Sequence, residues 1–531
     1  MKIIILGLFL LTASLGTFSQ ARTQIEMTDK AKLNWGSVIK IDKKKRFQDV
    51  LAHDKTGSYI LTTGKKGKSI DKLNNNMMLE NSMTLPLVYQ KKQMDLESLV
   101  YYNEKFIMLS SFNNRKLKKN YLFYQIINPS NLTLDGSIKN IGEIAYEKRR
   151  FKGDFGFDIS ADSSNMLLFF EMPYEKNTAE KYSFKVLDSK LDEIWSQEVE
   201  LPYKEQFFTV KDSEVSSKGD VFVLGKEYNE DKNSKKMKDL PNYKYHILGY
   251  YSKGEKIVDY EVSLHDKFIK DVTFDINSNG DIICSGFYSE SYGSGIKGAF
   301  FLSIDGISRK VKKESYKEFD EAFITEGWSD RAINKAKKKK VKKDKSIEMY
   351  NYDLRDFILR KDGGVVLLAE QYFVRVVTTT TTDANGNTST KTTYHYYYND
   401  VIVININPDG DIEWTTKIEK YQHSVNDGGR LSSFALQVKD NRMYLVYNES
   451  AKQYFDKEER SEMKRKDKRS YLTLLVSIDN KGEYEKEILL NNSVDKVYTV
   501  PKLCEQISKN EMLIYSYSKK GQKFGTMKLQ E

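Results

Sequence analysis

Hydrophobic positions along this 531-residue chain fall into short runs separated by polar turns. The runs recur in one order about eight times. Each repeat reads as an aromatic entry, a turn, an apolar strand, a loop, a second apolar strand, an Asn- or Asp-Gly turn and a strand with an aromatic anchor. The fullest copy is Phe357-Ile358-Leu359, Asp362-Gly363-Gly364 and Val365-Val366-Leu367-Leu368, followed by Val401-Ile402-Val403-Ile404-Asn405, Pro408-Asp409-Gly410 and Ile412-Glu413-Trp414. Short runs rich in β-branched and aromatic residues, bounded by Gly, Asn, Asp or Ser, are strands. Their loose alternation suits strands covered on both faces. A supersecondary unit repeated along a chain predicts a propeller or a solenoid, and the irregular spacing, roughly 50 to 80 residues, fits four-stranded propeller blades with enlarged loops.

The second strands of the repeats are expected at Ser58–Thr63, Lys105–Phe112, Asn165–Glu171, Gly219–Glu227, Gly280–Tyr288, Gly363–Tyr372, Asn441–Asn448 and Asn510–Tyr517. Third strands are expected at Leu85–Gln90, Tyr121–Ile127, Tyr182–Leu187, Tyr245–Tyr251, Ala299–Ile304, Val401–Asn405, Tyr471–Ile478 and Phe524–Leu529. The segment Leu33–Lys40 carries the same phrase as the fourth strands Glu193-Ile194-Trp195-Ser196 and Ile412-Glu413-Trp414-Thr415. It is therefore expected to complete the last blade, which otherwise stops at a third strand. Such closure removes exposed sheet edges. The expected fold is all-β, a propeller of eight four-stranded blades with seven as the alternative, plus a helical insertion.

This phrasing resembles secreted bacterial propellers of the quinoprotein-like repeat type, in which a Gly-Gly strand precedes a hairpin ending in Ile-Trp. The resemblance covers most of the chain at the level of pattern. It implies a propeller fold; in the quinoprotein enzymes themselves it accompanies a quinone and calcium, for which no paired cysteines or clustered ligands are present here. The turn 407–414 also resembles the Asp-box of sialidase-type propellers, where it is a hairpin device.

The expected long loops all map to one face of such a scaffold, the face shared by strand two–three loops and blade-to-blade connections. They are Gly64–Met83, Tyr228–Lys244, Ser308–Tyr350, Phe373–Asp400 and Ser450–Ser470. Loops grown on one face of a rigid scaffold are where function usually resides. Within 308–350, Phe319, Phe323, Ile324, Trp328, Ala332, Ile333 and Ala336 form a helical stripe, with Ser329 or Asp330 as a cap for a second helix. Lys335, Lys337, Lys338, Lys339 and Lys340 follow or interleave it. Within 373–400, Ala384-Asn385-Gly386 is a hairpin turn between Thr- and Tyr-rich arms bearing Tyr394 and Tyr396. The candidate partner-binding residues are Phe319, Phe323, Trp328, Lys337, Lys338, Lys339, Lys340, Tyr394 and Tyr396. Loop 450–470 is densely charged.

A charged start, the apolar run Ile3–Leu11 and small residues to Ala21 read as a signal peptide over 1–20, with the propeller over 21–531. Export to the periplasm or beyond is therefore expected, with outer-membrane association as an option and no membrane span in the mature chain. Much of the formal charge of +10 is expected on the long-loop face, which would suit an envelope protein, an anionic glycan or lipid head groups; nucleic acid is not expected in that compartment. Cys284 and Cys504 fall in non-neighbouring blades and are expected as buried thiols without a disulfide.

Five histidines show no metal-ligand spacing, and no nucleophile elbow or phosphate-cradling loop occurs. Asp275–Asp281 alternates Asp and Asn but lacks the closing Glu of a calcium loop, so a plain turn is expected. Glu370 is the one carboxylate singled out as a catalytic candidate. No cofactor or metal is expected. The sequence favours a non-enzymatic binding or assembly platform in the cell envelope; the alternative is a polysaccharide-active enzyme, a glycosidase or lyase, with its site at the channel mouth.

Overall fold

A computed structural model describes residues 25–40, 46–229, 241–264, 267–290, 295–343 and 347–530. The expected signal peptide, His265 and the lysine-rich loop 230–240 lie outside the described residues. Strands dominate. Among the described residues they form eight antiparallel sheets of four or five strands and one small two-stranded ribbon. In sequence order the sheets span 46–84, 95–145, 154–204, 208–262, 268–318, 352–418, 434–491 and 498–529. The first seven are up-and-down meanders, each strand bonded to the next, which is the order that propeller blades use. No described helix is long and apolar enough to cross a membrane.

The eighth sheet takes its outer strand from the other end of the chain. Ala31–Trp35 pairs antiparallel with Gly521–Leu529, from Ala31 opposite Leu529 to Trp35 opposite Gly525. Fourth-strand identity was thus correctly read from the Asn34-Trp35 phrase.

Each hydrophobic cluster lies between consecutive sheets. Tyr59 and Ile70 of the first pack with Phe106 and Phe123 of the second; Leu167 and Phe184 of the third pack with Phe208 and Val223 of the fourth. One cluster joins Val446 and Leu475 of the seventh sheet, Leu513 and Phe524 of the eighth, and Phe47 and Ile60 of the first. The last sheet therefore sits between the seventh and the first. Strands covered on both faces bury every residue, as in Ile282–Ser289 and Gly298–Ile304. First strands of neighbouring sheets touch one another, as Arg46–Asp54 touches Asp95–Tyr102 and Phe268–Ile276 touches Tyr352–Leu359, so they form the inner edge of the assembly.

The recurring fourth-strand tryptophan has a physical role in this stacking. Trp195 Nε1 donates to Gly219 O at 2.9 Å, and Trp414 Nε1 donates to Asn480 O at 2.9 Å. Each acceptor belongs to a turn of the next sheet. Gly482, at φ +83°, lies under the Trp414 ring, where a Cβ would come within 2.6 Å of it.

Three expectations are corrected. The segment Gly64–Met83 is not a loop: it holds the third strand Gly67–Asn74 and most of the fourth, Leu79–Thr84. Its polar residues are paired internally. Asp71 accepts from Thr62 Oγ1 at 3.0 Å and from Ser82 Oγ, and Lys72 meets Glu80 at 3.0 Å. The segment Leu85–Gln90, expected as a third strand, is mostly the connection to the second sheet, with Leu85 and Leu87 buried beneath it. The insertion expected from Ser308 begins only after Glu318, because Val311–Glu318 is an outer fourth strand whose residues are mostly exposed.

Loop lengths divide as expected for two unlike faces. First–second and third–fourth turns are short, such as 360–364, 407–411 and 479–483. The opposite face carries 319–351, the extended hairpin of the sixth sheet and 451–470.

Candidate functional site

The elaborated face is built up over the fifth, sixth and seventh sheets. Helix α1 (Glu321–Thr325) is capped by Asp320, whose Oδ1 accepts from Phe323 N at 2.7 Å. Helix α2 (Asp330–Lys343) begins at Ser329, whose carbonyl accepts from Ala332 N and Ile333 N. Phe319 and Ile324 are buried, and Phe323 and Trp328 are half-buried, in the cluster between the fifth and sixth sheets. These rings hold the insertion onto the scaffold. Phe319, at 2% exposure, presents nothing to a partner. Buried Lys417 fixes the same insertion: its Nζ donates to Phe323 O at 2.5 Å, Ile324 O at 3.2 Å and Glu326 O at 3.2 Å. A cation on the last carbonyls of a helix satisfies groups that would otherwise lack partners. Lys337 and Lys338 are exposed on α2. The side chains of Lys339 and Lys340 fall outside the described residues.

The hairpin of the sixth sheet runs out along Val365–Thr382 and returns along Thr388–Ile406, with Thr382 opposite Thr388. Strand Gln422–Val425 adds a third member beside residues 395–398. One face of this ribbon stacks Phe373 on Tyr397 at 4.6 Å, Tyr397 on His423 at 4.6 Å and His423 on His395 at 5.3 Å. The other exposes Val374, Val376 and Tyr394, with Tyr396 half-buried among them. His395 Nδ1 and His423 Nε2 stand 3.0 Å apart. Their separation along the chain gave no hint of this; only the pairing of Gln422–Val425 with the hairpin creates it.

Glu370 lies at the base of the hairpin, beside a register shift between Glu370 and Tyr372. It is fully buried and saturated with donors. Lys420 Nζ donates to Oε1 at 2.8 Å; Arg355 Nη2 and Ser433 Oγ donate to Oε2 at 3.0 and 2.6 Å. Lys420 is equally buried and also donates to Tyr398 O and Gln422 Oε1, each at 3.1 Å. Gln422 continues the network to Asn448 O and Ser433 N. These contacts bind the hairpin, the sixth-to-seventh connection and the entry of the seventh sheet together. A carboxylate so occupied is a structural node.

Beside this node lies a cavity of about 580 Å³, lined by Asp400, Glu419, Tyr421, Glu449, Tyr454 and Lys486 among others. Burial raises the carboxyls of Asp400 and Glu449 above their ordinary range. Helix α3 (Ala451–Tyr454) roofs it through Gln453 Nε2 to Tyr421 O and Tyr454 Oη to Lys486 O, both at 3.1 Å.

The inner edge carries a second pattern. A β-bulge interrupts the first strand of several sheets one turn from the elaborated face, at Gln48, Glu97, Lys211, Lys270 and Arg355. Deeper along the first strands of the third, fourth and fifth sheets lie Asp158, Asp212, Glu214 and Asp275. Burial, then the neighbouring carboxylates, pushes Glu214 up to about 10; burial pushes Asp158 up to about 6. Lys502 donates to Tyr398 Oη at 2.6 Å, and burial pushes its ammonium down to about 8.

Cys284 and Cys504 are free buried thiols, and burial pushes Cys504 up to about 12. The stretch 277–281 is a closed turn in which Asn277 Oδ1 accepts from Asn279 N and Asp281 N at 2.9 Å. Among the described residues no group of three or more His, Cys, Asp or Glu side chains is disposed to hold a metal ion.

No family model matches the sequence, and no curated protein does. Among solved structures, prolyl oligopeptidase B from Galerina marginata aligns at 8% identity and a TM-score of 0.39 over 90% of this chain, which spans 56% of that protein. The β-propeller domain of the Trilobed protease from Pyrococcus furiosus aligns at 10% identity and a TM-score of 0.32, covering 82% of this chain and 95% of that one. A polysaccharide lyase, ulvan lyase bound to a glucuronate–sulfated rhamnose unit, aligns at 10% identity and a TM-score of 0.33, covering 81% and 90%. At such identities and TM-scores kinship with any of them is not established.

Proposed function

We propose that this protein is an exported, eight-bladed β-propeller that acts as a non-enzymatic binding platform in the cell envelope through its elaborated face. The observation that carries this reading is the use of Glu370. The carboxylate best placed for chemistry on that face is consumed by Lys420, Arg355 and Ser433. The network instead fixes a projecting ribbon with exposed Val374, Val376 and Tyr394. Exposed apolar side chains on a rigid ribbon suit partner contact by strand or surface addition. The leader-like segment 1–20 supports export, and the packing of the first sheet against the last supports an unbroken ring.

The test replaces residues 376–394 by a two-residue Asn-Gly turn and measures retention of the protein in envelope fractions and in crosslinking pull-downs. Loss of a crosslinked partner with unchanged unfolding behaviour is expected; an unchanged partner set overturns the ribbon's role. One feature favours an enzyme: burial and then the neighbouring Asp275, Asp158 and Asp212 push the Glu214 carboxyl up to about 10, the direction that a general acid needs. Glycan cleavage by the wild type that is abolished in Glu214→Gln would establish that reading instead.

A further inference from the structure

The cavity beside Glu370 lies where the sixth and seventh sheets meet on the elaborated face. Several elements converge on it, and direct contacts tie them together. Lys420 N donates to Asp400 Oδ1 at 3.2 Å, joining the connection after Ile412–Ile418 to the returning hairpin strand. Lys486 Nζ donates to Glu419 O, joining the last strand of the seventh sheet to the same connection. Tyr421 N donates to the Glu449 carboxylate, and helix α3 closes the top through Gln453 and Tyr454. Gly327 brings the insertion to the rim, where a Cβ would stand 2.8 Å from Glu419 Oε1.

Two features of this cavity call for a ligand. The first is its floor. Glu449 is 5% exposed and Asp400 is half-buried, and each receives one backbone donor from the described residues. A carboxylate has room for about four donors. The lysines within electrostatic range hold their ammonium groups on other acceptors: Lys417 on carbonyls of the insertion, Lys420 on Glu370, and Lys486 on Glu419 O. The second feature is Tyr447. It is 0% exposed, and its hydroxyl has no hydrogen-bond partner among the described residues. It stands two residues before Glu449 on the strand Arg442–Ser450, so both side chains leave the same face. Lys420 Nζ lies 5.9 Å from the Tyr447 ring centroid, and the hydroxyl is within electrostatic range of Glu449, Asp400 and Tyr454 of the lining. A buried hydroxyl left without a partner is costly, and a donor entering the cavity would satisfy it.

These acceptors select an organic cation. No group of three or more ligating side chains converges among the described residues, so a bare metal ion would lack its shell. The volume of about 580 Å³ falls in the range of small-molecule pockets, about 300 to 1,000 Å³. Tyr454 and the half-exposed ring of Tyr421 offer aromatic faces to a cation and its methylene stem. We propose that this cavity binds one ammonium or guanidinium group on an aliphatic stem, with Glu449, Asp400 and Tyr447 Oη accepting its N–H groups. The chemistry is that of a free diamine or of a lysine or arginine tip, and the test separates the two. The site is distinct from the ribbon and does not rest on its role.

The test is calorimetric titration of the full chain with 1,5-diaminopentane, agmatine and the capped peptides Gly-Lys-Gly and Gly-Arg-Gly. The comparison probes are 1,5-pentanediol, capped Gly-Met-Gly and calcium chloride. Wild type is set beside Glu449→Gln, Tyr447→Phe and Glu193→Gln, the last an exposed carboxylate of the third sheet. Binding of at least one amine or guanidinium probe is expected. It should weaken by roughly tenfold or more in Glu449→Gln, from loss of a charge-assisted contact, and by about threefold or more in Tyr447→Phe, from loss of a neutral one. Glu193→Gln should bind as wild type does. Tyr447→Phe removes only an unpartnered oxygen, so it should unfold no more readily than wild type, and its lower affinity cannot come from lost structure. Tighter binding of the diamines than of the peptides assigns the site to a free amine; the reverse assigns it to a partner's side chain. No binding of any cationic probe overturns the proposal. So does equal binding by all four proteins, equal binding of the neutral probes, or binding confined to calcium. The ribbon replacement leaves this lining in place. Amine binding retained by that protein while its crosslinked partner is lost supports the two readings separately. No amine binding by wild type, with the ribbon's partner still lost on replacement, overturns this inference alone.

Discussion

Replacing Glu370 with Gln removes the negative member of a pair in which both side chains are 0% exposed. Lys420 then keeps only neutral acceptors, Tyr398 O and Gln422 Oε1 among them. Removing one partner of a buried ion pair costs about 3–5 kcal/mol, because the remaining charge is left uncompensated. An independent ceiling comes from letting Lys420 lose its proton. Bringing a lysine from its ordinary value to neutral at pH 7 costs about 1.4 kcal/mol per pH unit, or roughly 4 to 5 kcal/mol in all. The two bounds agree, and Glu370→Gln is expected to lose about 3–4 kcal/mol at pH 7. The pH dependence follows. Burial already lowers the Lys420 ammonium, and without Glu370 it falls further. The unfolded chain then binds the proton that the folded chain does not, so the variant regains stability relative to wild type as pH rises toward the ordinary lysine value. Urea unfolding followed by tryptophan fluorescence from pH 6 to pH 10 measures both effects. The double variant Glu370→Leu/Lys420→Met should recover much of the loss, less the cost of leaving Ser433 Oγ without its acceptor. A loss below about 1 kcal/mol with no pH slope would refute the reasoning. Intact stability together with lost catalysis would give Glu370 a chemical role.

Two further outcomes follow from buried charges. Asp158 is pushed up to about 6, so the folded chain keeps a proton that the unfolded chain releases, and this group's contribution to stability falls as pH rises from about 4 to 6. Asp158→Asn can still accept from Val215 N and should gain up to about 3 kcal/mol relative to wild type between pH 4 and pH 7, read from paired denaturation curves; a constant difference refutes it. Lys417→Met removes the cation from three carbonyls of the insertion and should cost about 2 kcal/mol locally, seen as faster amide exchange over 319–326 with the remaining sheets unchanged.

Much of the strand pattern was legible because buried strands announce themselves. The observed second strands, from Gly57–Gly64 to Glu511–Ser518, begin within two residues of the sequence reading, since Val, Ile, Leu and Phe run together wherever both faces are covered. Two of the failures share a cause, which is polarity at covered or outermost positions; the third, Leu85–Gln90, is an apolar connection whose buried Leu85 and Leu87 imitate a strand. Gly67–Asn74 reads as a loop because Lys68, Ser69, Asp71 and Lys72 interrupt it, yet Asp71 and Lys72 are buried with partners from the same sheet. Val311–Glu318 reads as a loop because an outermost strand needs no apolar face. The site was less legible still. Lys226 is unremarkable in a chain with 85 basic residues. Only the pairing of Tyr243–Tyr251 with Val221–Tyr228 sets it among three tyrosines. Glu370 was found as a carboxylate set in an apolar strand, but its donors Lys420 and Ser433 come from connections that carry no strand signal.

The pairing of Ala31–Trp35 with Gly521–Leu529 has a consequence for the order of assembly. A ribosome delivers Ala31–Trp35 long before Gly521–Leu529, so the eighth sheet cannot finish until the latter strand has emerged. Until then the first sheet shows an uncovered flank, with Phe47 and Ile60 lacking Leu513 and Phe524. Contacts between distant parts of a chain form late and slowly, and unpaired edges invite association meanwhile. The same geometry brings Ala31 and Leu529 side by side. A chain cut open at one of the short turns and rejoined through a linker between residues 31 and 529 would carry that strand as an ordinary hairpin, and the closing step would move to whichever sheet had been divided.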